Sequence, residues 1–240
     1  MCTISYLPTG PGAFLLASNR DEHRARKEAQ PPVEHQTRTG RALWPIDGEA
    51  GGTWIALTDF GIAYTLMNDY QGNWQSDGET VSRGTIIPEI IDCTSEDEVT
   101  RRLERLHDLR FRPFRLLMAS ASGVSLWHFD GSGLNKSDQG QGAGLWVSAG
   151  GEESRIYKAR SKVFEQFLRE TYSDELSRVK ALHTWQESGP GAFSFQLERD
   201  DVQVQTVSAT IAEYRAGGKA GMHYMNGLPS RQKKWQTRTL

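Results

Sequence analysis

The spacing of apolar residues along this chain changes from every second residue to every third or fourth and back again, twice over. That order restricts the fold more than any single motif. Alternation comes first: residues 2–7 carry Cys2, Ile4 and Tyr6 on one face, and a second strand at 13–19 follows the turn-forming run PTGPG. Another hairpin is predicted at 53–58 and 62–68, turning through Asp59, Phe60 and Gly61. Helical spacing then takes over. Ile86, Ile87, Ile90 and Ile91 recur at helical intervals, with Pro88 in the first turn or at a kink. Ser95 with Glu98 has the form of a capping box ahead of Val99, Leu103 and Leu106. Strands return at 115–120, 124–129 and 145–148, and a clearer helical pair is expected at 154–171 and 174–185. Two last strands, 192–198 and 202–211, lead into a loose tail. The string GPGAF occurs at 10–14 and again at 189–193, and reads as one turn-then-strand device used twice.

Strands joined as hairpins form mostly antiparallel sheets, and two amphipathic helix pairs pack most simply outside them. The expectation is an α+β protein, a four-layer αββα sandwich formed by one domain over residues 1–240. Composition narrows the function classes. A formal net charge of -2 argues against a general nucleic-acid binder. No apolar run approaches the ~20 residues that cross a bilayer, and the start lacks a basic stretch and apolar core, so a cytoplasmic location is expected. Two cysteines, Cys2 and Cys93, are too few for a disulfide framework, and Cys93 reads as a packed apolar residue.

Cys2 is the residue that points to chemistry. Methionine before a small residue is commonly removed, which would leave one residue holding both a thiol and an α-amine. That amine has an ordinary pKa of ~7.7–8.0, so it can serve as base for its own thiol. The plain alternative is a small buried residue starting a strand. The strand at 13–19 ends in Asn19-Arg20-Asp21-Glu22, and if it lies beside the first strand those groups come to one end of the sheet. Arg20 is then expected to lower the thiol pKa and Asp21 to orient the amine or a substrate. Their alternative is a surface ion cluster running into Arg24, Arg26 and Lys27, which read as a solvated face.

MCT at the start, NRDE at 19–22, GGTW at 51–54 and SRG at 82–84 together resemble the NRDE family, also called the transport and Golgi organisation protein 2 family. The resemblance covers the first ~90 residues best, with softer matches at 111–117 and 206–211. It implies an N-terminal-nucleophile (Ntn) hydrolase-like fold, in agreement with the layers read above. By similarity to bile-salt and penicillin V amidohydrolases it implies catalytic roles for Cys2, Arg20 and Asp21, with Asn68 at the first oxyanion position. A second oxyanion Asn is expected after 145–148, but Ala149 and Gly150 stand there, and the later Arg of those enzymes is not evident. A missing oxyanion donor costs ~10²–10³ in rate.

The resemblance also implies haem handling. On that reading the protein is a haem-binding or haem-trafficking protein, with haem the bound ligand. Arg20, Asn19 and Cys2 would meet it, and His223, within GMHYMNG beside Met222 and Met225, would be a further ligand. The alternative is an amidohydrolase that cleaves a non-peptide C–N bond with Cys2 as nucleophile. The missing second Asn favours binding over catalysis. A small-molecule ligand is expected either way; no spacing of the six histidines marks a metal site, CxxCH is absent, and no signal names a protein partner.

Overall fold

Alternation at the start of the chain reflects a strand with a core on each of its faces. The computed structural model describes residues 2–70, 78–106, 110–188, 191–228 and 234–240. The first hairpin is β1 (Cys2–Gly10) and β2 (Ala13–His23), followed by β3 (Gln30–Gln36), β4 (Arg41–Ile46), β5 (Ile55–Thr58) and β6 (Ala63–Asn68). After a 3₁₀ turn, Arg83–Thr85, come α1 (Ile86–Ile90) and α2 (Glu96–Arg105). Next are β7 (Phe114–Ser120), β8 (Gly123–Phe129), β9 (Leu134–Gly140) and β10 (Gly144–Ser148). The chain continues with α3 (Glu153–Arg169), α4 (Glu175–His183), β11 (Glu198–Arg199), β12 (Val204–Arg215), β13 (Lys219–Asn226) and β14 (Gln236–Thr239).

The strands form two antiparallel sheets. One has the order β10-β1-β2-β12-β13-β14 with β11 against β12; the other runs β3 to β9 in sequence order. Between them lies a core of Ile4, Tyr6, Leu16, Leu57, Met67 and Met222. Helices α1 and α2 cover the outer face of the β3–β9 sheet, where Ile86, Ile87, Ile90, Val99 and Leu103 meet Tyr64, Leu116 and Trp127. Helices α3 and α4 cover the other sheet through Phe164, Phe167, Val179 and Leu182. The result is the αββα sandwich. Pro88 sits in the first turn of α1, where its missing N–H costs nothing. Ser95 caps α2 by accepting from the Glu98 N–H at 3.3 Å, while Glu98 reaches back to the Thr94 N–H at 2.7 Å, one residue before the expected partner.

Three expectations are corrected. Residues 192–198 are not a strand: Ser194 closes a turn onto Gly191, Phe195 packs under α4, and only Glu198 and Arg199 pair, as β11. The final segment is not loose: Gly217 and Gly218, at φ +85° and +81°, turn β12 back into β13, and β14 adds a further strand. Strands β3, β4 and β9 lie where no element was expected. Of the repeated GPGAF, residues 189 and 190 lie outside the described residues, as does part of the basic tail, 231–233. Among the described residues no helix is long and apolar enough to cross a membrane.

Candidate functional site

Antiparallel pairing places Cys2 opposite Arg20 on one side and opposite Ser148 on the other. Because side chains alternate along a strand, Cys2 and Arg20 face between the sheets while Asn19 and Asp21 face the helices. A bulge in β12, between Thr206 and Ser208, lies opposite Asp21 and Arg20. The NRDE stretch is thus divided between two environments.

On the inner side a cleft of about 330 Å³ opens at the end of the sandwich, with Cys2, Arg20, Glu22, Asp47, Trp54 and Asn68 among its lining. The Cys2 thiol is buried at 8% exposure. Burial pushes it up, and the charges of Asp21 and Glu22 push the same way, while the Asp21 backbone N–H, directed at the sulfur, pulls it back. The net direction is therefore upward, and the Arg20 guanidinium expected to lower the thiol is bound to the Asp47 carboxylate and lies 4.4 Å from the Trp54 ring. Arg26, expected on a solvated face, donates to both Asp47 oxygens at 2.9 and 3.0 Å. Asp47 also accepts from the N–H groups of Ala50 and Glu49 at 2.8 and 3.2 Å. Burial alone would raise this carboxyl, but the Arg26 bond, the Ala50 N–H and the Arg20 charge outweigh it and hold Asp47 low.

Asn68 ends β6 on the facing sheet. Its carboxamide lines the cleft and donates to the Tyr70 hydroxyl at 2.8 Å, and its carbonyl accepts from Ser148 Oγ. It is the only carboxamide among the described residues lining the cleft. At the second expected position, Ala149 is buried and its N–H donates to Glu153 Oε2 at 2.9 Å, which Arg115 also holds.

The helix side is a buried polar network, closed around Asn19 and His183, while the Nε of Arg160 has no hydrogen-bond partner among the described residues. Asn19 Nδ2 donates to the carbonyls of His183 and Phe195 at 2.9 and 2.7 Å. Its Oδ1 lies 3.0 Å from His183 Nδ1, and Ser5 Oγ lies 2.7 Å from His183 Nε2. A carboxamide oxygen can only accept, so Nδ1 carries the proton and Nε2 accepts from Ser5. The neutral imidazole is enforced by burial and by Arg160, which together push His183 down to about 3. Asn19 is therefore a structural member of this network and does not face the cleft where a ligand was expected. Asp21 Oδ1 accepts from Thr206 Oγ1 at 2.6 Å. Burial raises the Asp21 carboxyl, against the opposing pull of Arg160. Arg160, fully buried on α3, binds Thr3 Oγ1 and donates to the Ala192 carbonyl at 3.0 Å.

His223 is not part of the cleft. It sits in the row of Ala17 and Ile211 rather than that of Cys2 and Arg20, and bonds Glu213 and Thr237 at 2.9 and 3.0 Å. As an axial ligand to a group at Cys2 it is corrected. Met222 and Met225 are buried. No cluster of three or more His, Cys, Asp or Glu capable of holding a metal occurs among the described residues.

Two sets of residues escaped the sequence reading. Arg160 carried a readable signal: it lies four residues after Ile156 and four before Phe164, a charge inside an apolar stripe. Arg83 and Arg112 lie within the SRG and 111–117 matches but nothing there joined them to Cys2, and Asp47 carried no signal, because only tertiary packing brings these residues together.

Residues 1–187 match the family model described as Transport and Golgi organisation 2. No curated protein sequence matches the chain. Among solved structures it is similar to a Caenorhabditis elegans ortholog of N-acylethanolamine-hydrolyzing acid amidase, with a TM-score of 0.59 and 12% identity over 88% of this chain and 92% of that one. It is also similar to two variants of the conjugated bile acid hydrolase from Clostridium perfringens, with TM-scores of 0.56 at 9% and 10% identity. These matches cover 100% and 99% of this chain and 92% of each of theirs. At such identities the likeness is one of fold, the two-sheet sandwich of Ntn hydrolases. With more than three quarters of its length matched and MCT, NRDE, GGTW and SRG in order, the chain belongs to the Transport and Golgi organisation 2 family.

Proposed function

We propose that the protein is a thiol amidohydrolase that cleaves a non-peptide amide with Cys2 as nucleophile. The observation that carries this reading is a thiol at the floor of a cleft whose facing wall holds the Asn68 carboxamide. The reading requires a mature chain whose first residue is Cys2. Its α-amine would then take the thiol proton as Sγ attacks the carbonyl carbon. The same group would return that proton to the departing amine, and water would cleave the thioester to release a carboxylic acid and restore the thiol. Burial raises the thiol pKa, so the sulfur depends on the amine as base to become a nucleophile. Asn68 Nδ2 is the candidate oxyanion donor; one of its two hydrogens remains when the other is given to Tyr70. Fold likeness to two amide hydrolases supports the reading as analogy.

Intact mass and turnover of an N-acyl amide panel, measured on one preparation, test it. The expected result is a mass lacking the initiator methionine and turnover that Cys2→Ala abolishes. Retained methionine in most molecules, or turnover that survives Cys2→Ala, would defeat it.

The second reading, a haem carrier, draws on a different feature of the same cleft: arginines lining it that suit two propionates. It predicts saturable binding with a Soret band, weakened about ten- to a hundred-fold by Arg20→Ala. A flat titration with haem would end it.

A further inference from the structure

The motifs GGTW and SRG take no part in the reaction just described, yet they meet at the cleft. Gly52 and Gly84 touch backbone to backbone: a Cβ on Gly52 would stand 2.5 Å from the Gly84 carbonyl carbon. The Thr53 N–H donates to the Gly84 carbonyl at 2.9 Å. This contact brings the 3₁₀ turn against the cleft wall and seats Arg83 in it. Arg83 Nη1 donates to the Pro113 carbonyl at 2.8 Å, and Arg112, the residue before that proline, lines the same cleft. Arg20 and Arg26 share Asp47, whereas among the described residues neither Arg83 nor Arg112 has a carboxylate partner. Set against Glu22 and Asp47, the four arginines leave the lining two positive charges in excess among the described residues. Arg83 is half-buried, and both burial and the Arg112 charge hold its guanidinium below the ordinary range. Like charges gathered in a half-buried cleft are unfavourable until an anion neutralises them.

We propose that Arg83 and Arg112 are the binding site for a dianionic group on the ligand of the Cys2 cleft, either one phosphate or a pair of carboxylates. Guanidinium forks match both through paired N–H donors. The assignment rests on the amidohydrolase reading only in taking this cleft as the ligand site.

Phenyl phosphate and glutarate, titrated calorimetrically into the full chain and into Arg112→Gln at low and high salt, test it. At least one should bind saturably, more weakly at high salt, and at least ten-fold more weakly to the variant. Tighter binding of phenyl phosphate identifies a phosphate, and tighter binding of glutarate a carboxylate pair. Arg112 is exposed, so the variant keeps its fold; Arg83→Gln should give the same loss. No saturable binding of either anion, or binding unchanged in Arg112→Gln, overturns the proposal. Anion binding that depends on Arg112 in a protein without amide turnover would sink the hydrolase reading and leave this one standing. Turnover without such binding would do the reverse.

Discussion

The two faces of the β1–β2 hairpin carry comparable numbers of polar groups and treat them in opposite ways. Towards the helices, Ser5, Asn19 and His183 satisfy one another, and Arg160 spends donors on Thr3 and Ala192. Towards the cleft, Arg20 and Arg26 are anchored on Asp47, while among the described residues Arg83 and Arg112 have no carboxylate partner and the Cys2 thiol holds its proton. A closed network fixes geometry; an open one keeps interactions in reserve for a ligand. Residues that read as one motif in the sequence therefore belong to two environments, with Asn19 and Asp21 facing the helices and Arg20 facing the cleft beside Cys2.

The contrast is tested most severely from the helix side. Arg160→Met should cost about 3–5 kcal/mol in urea unfolding, the figure for removing one partner from a buried charge arrangement. A loss under about 1 kcal/mol would mean that Asp21 does not need this guanidinium. Asn19→Ala comes next, at about 1–3 kcal/mol, because it leaves two buried carbonyls and an imidazole N–H without partners. If haem or amide binding fell while stability held, Asn19 would belong to the cleft after all.

A pH series sharpens the same point. His183 is held neutral down to about 3 in the folded chain but protonates near 6.5 when unfolded. The unfolded state therefore binds more protons between those values, and stability is lost as pH falls through that window, by up to about 1.4 kcal/mol per unit. The raised Asp21 carboxyl acts in the opposite sense, favouring the fold as pH falls, so the informative quantity is the difference between wild type and His183→Gln. Parallel stability curves for the two would deny the buried neutral imidazole. Smallest of all, Arg112→Gln on the cleft side should shift stability by no more than about 0.5 kcal/mol. A cost equal to that of Asn19→Ala would erase the distinction between the faces.

Strands inside the sheets were mostly legible in the sequence: β1, β2, β5 to β8 and β12 each carry a buried apolar set. Three of the four sheet edges were not, and for one physical reason. β3 has a register shift after Gln30, at Pro31 and Pro32; β9 buries no residue, and β14 is exposed throughout. An edge strand with little to bury carries little periodic signal. β13 was missed as well, although its run from Ala220 to Met225 is buried as fully as β5 and β6. Of the site, Cys2 and Arg20 could be paired from the hairpin alone, and the alternation rule already sends Asn19 to the other face. The partnership of Arg20 with Asp47 could not be read, since it joins chain segments related only by packing.

The split of Asn19 to Glu22 across the sheet also has a consequence for how the chain reaches its structure. A slip of β2 by one residue would send the Arg20 guanidinium into the helix layer and the Asp21 carboxylate into the space between the sheets. Each would lose its ionic or hydrogen-bonded partners, at several kcal/mol per stranded charge, a larger penalty than most apolar mismatches carry. Misaligned hairpins would thus be short-lived during folding. Arg20 and Asp21 double as a proofreading device for assembly, and a variant that neutralises them should misfold more often even where its finished structure is sound.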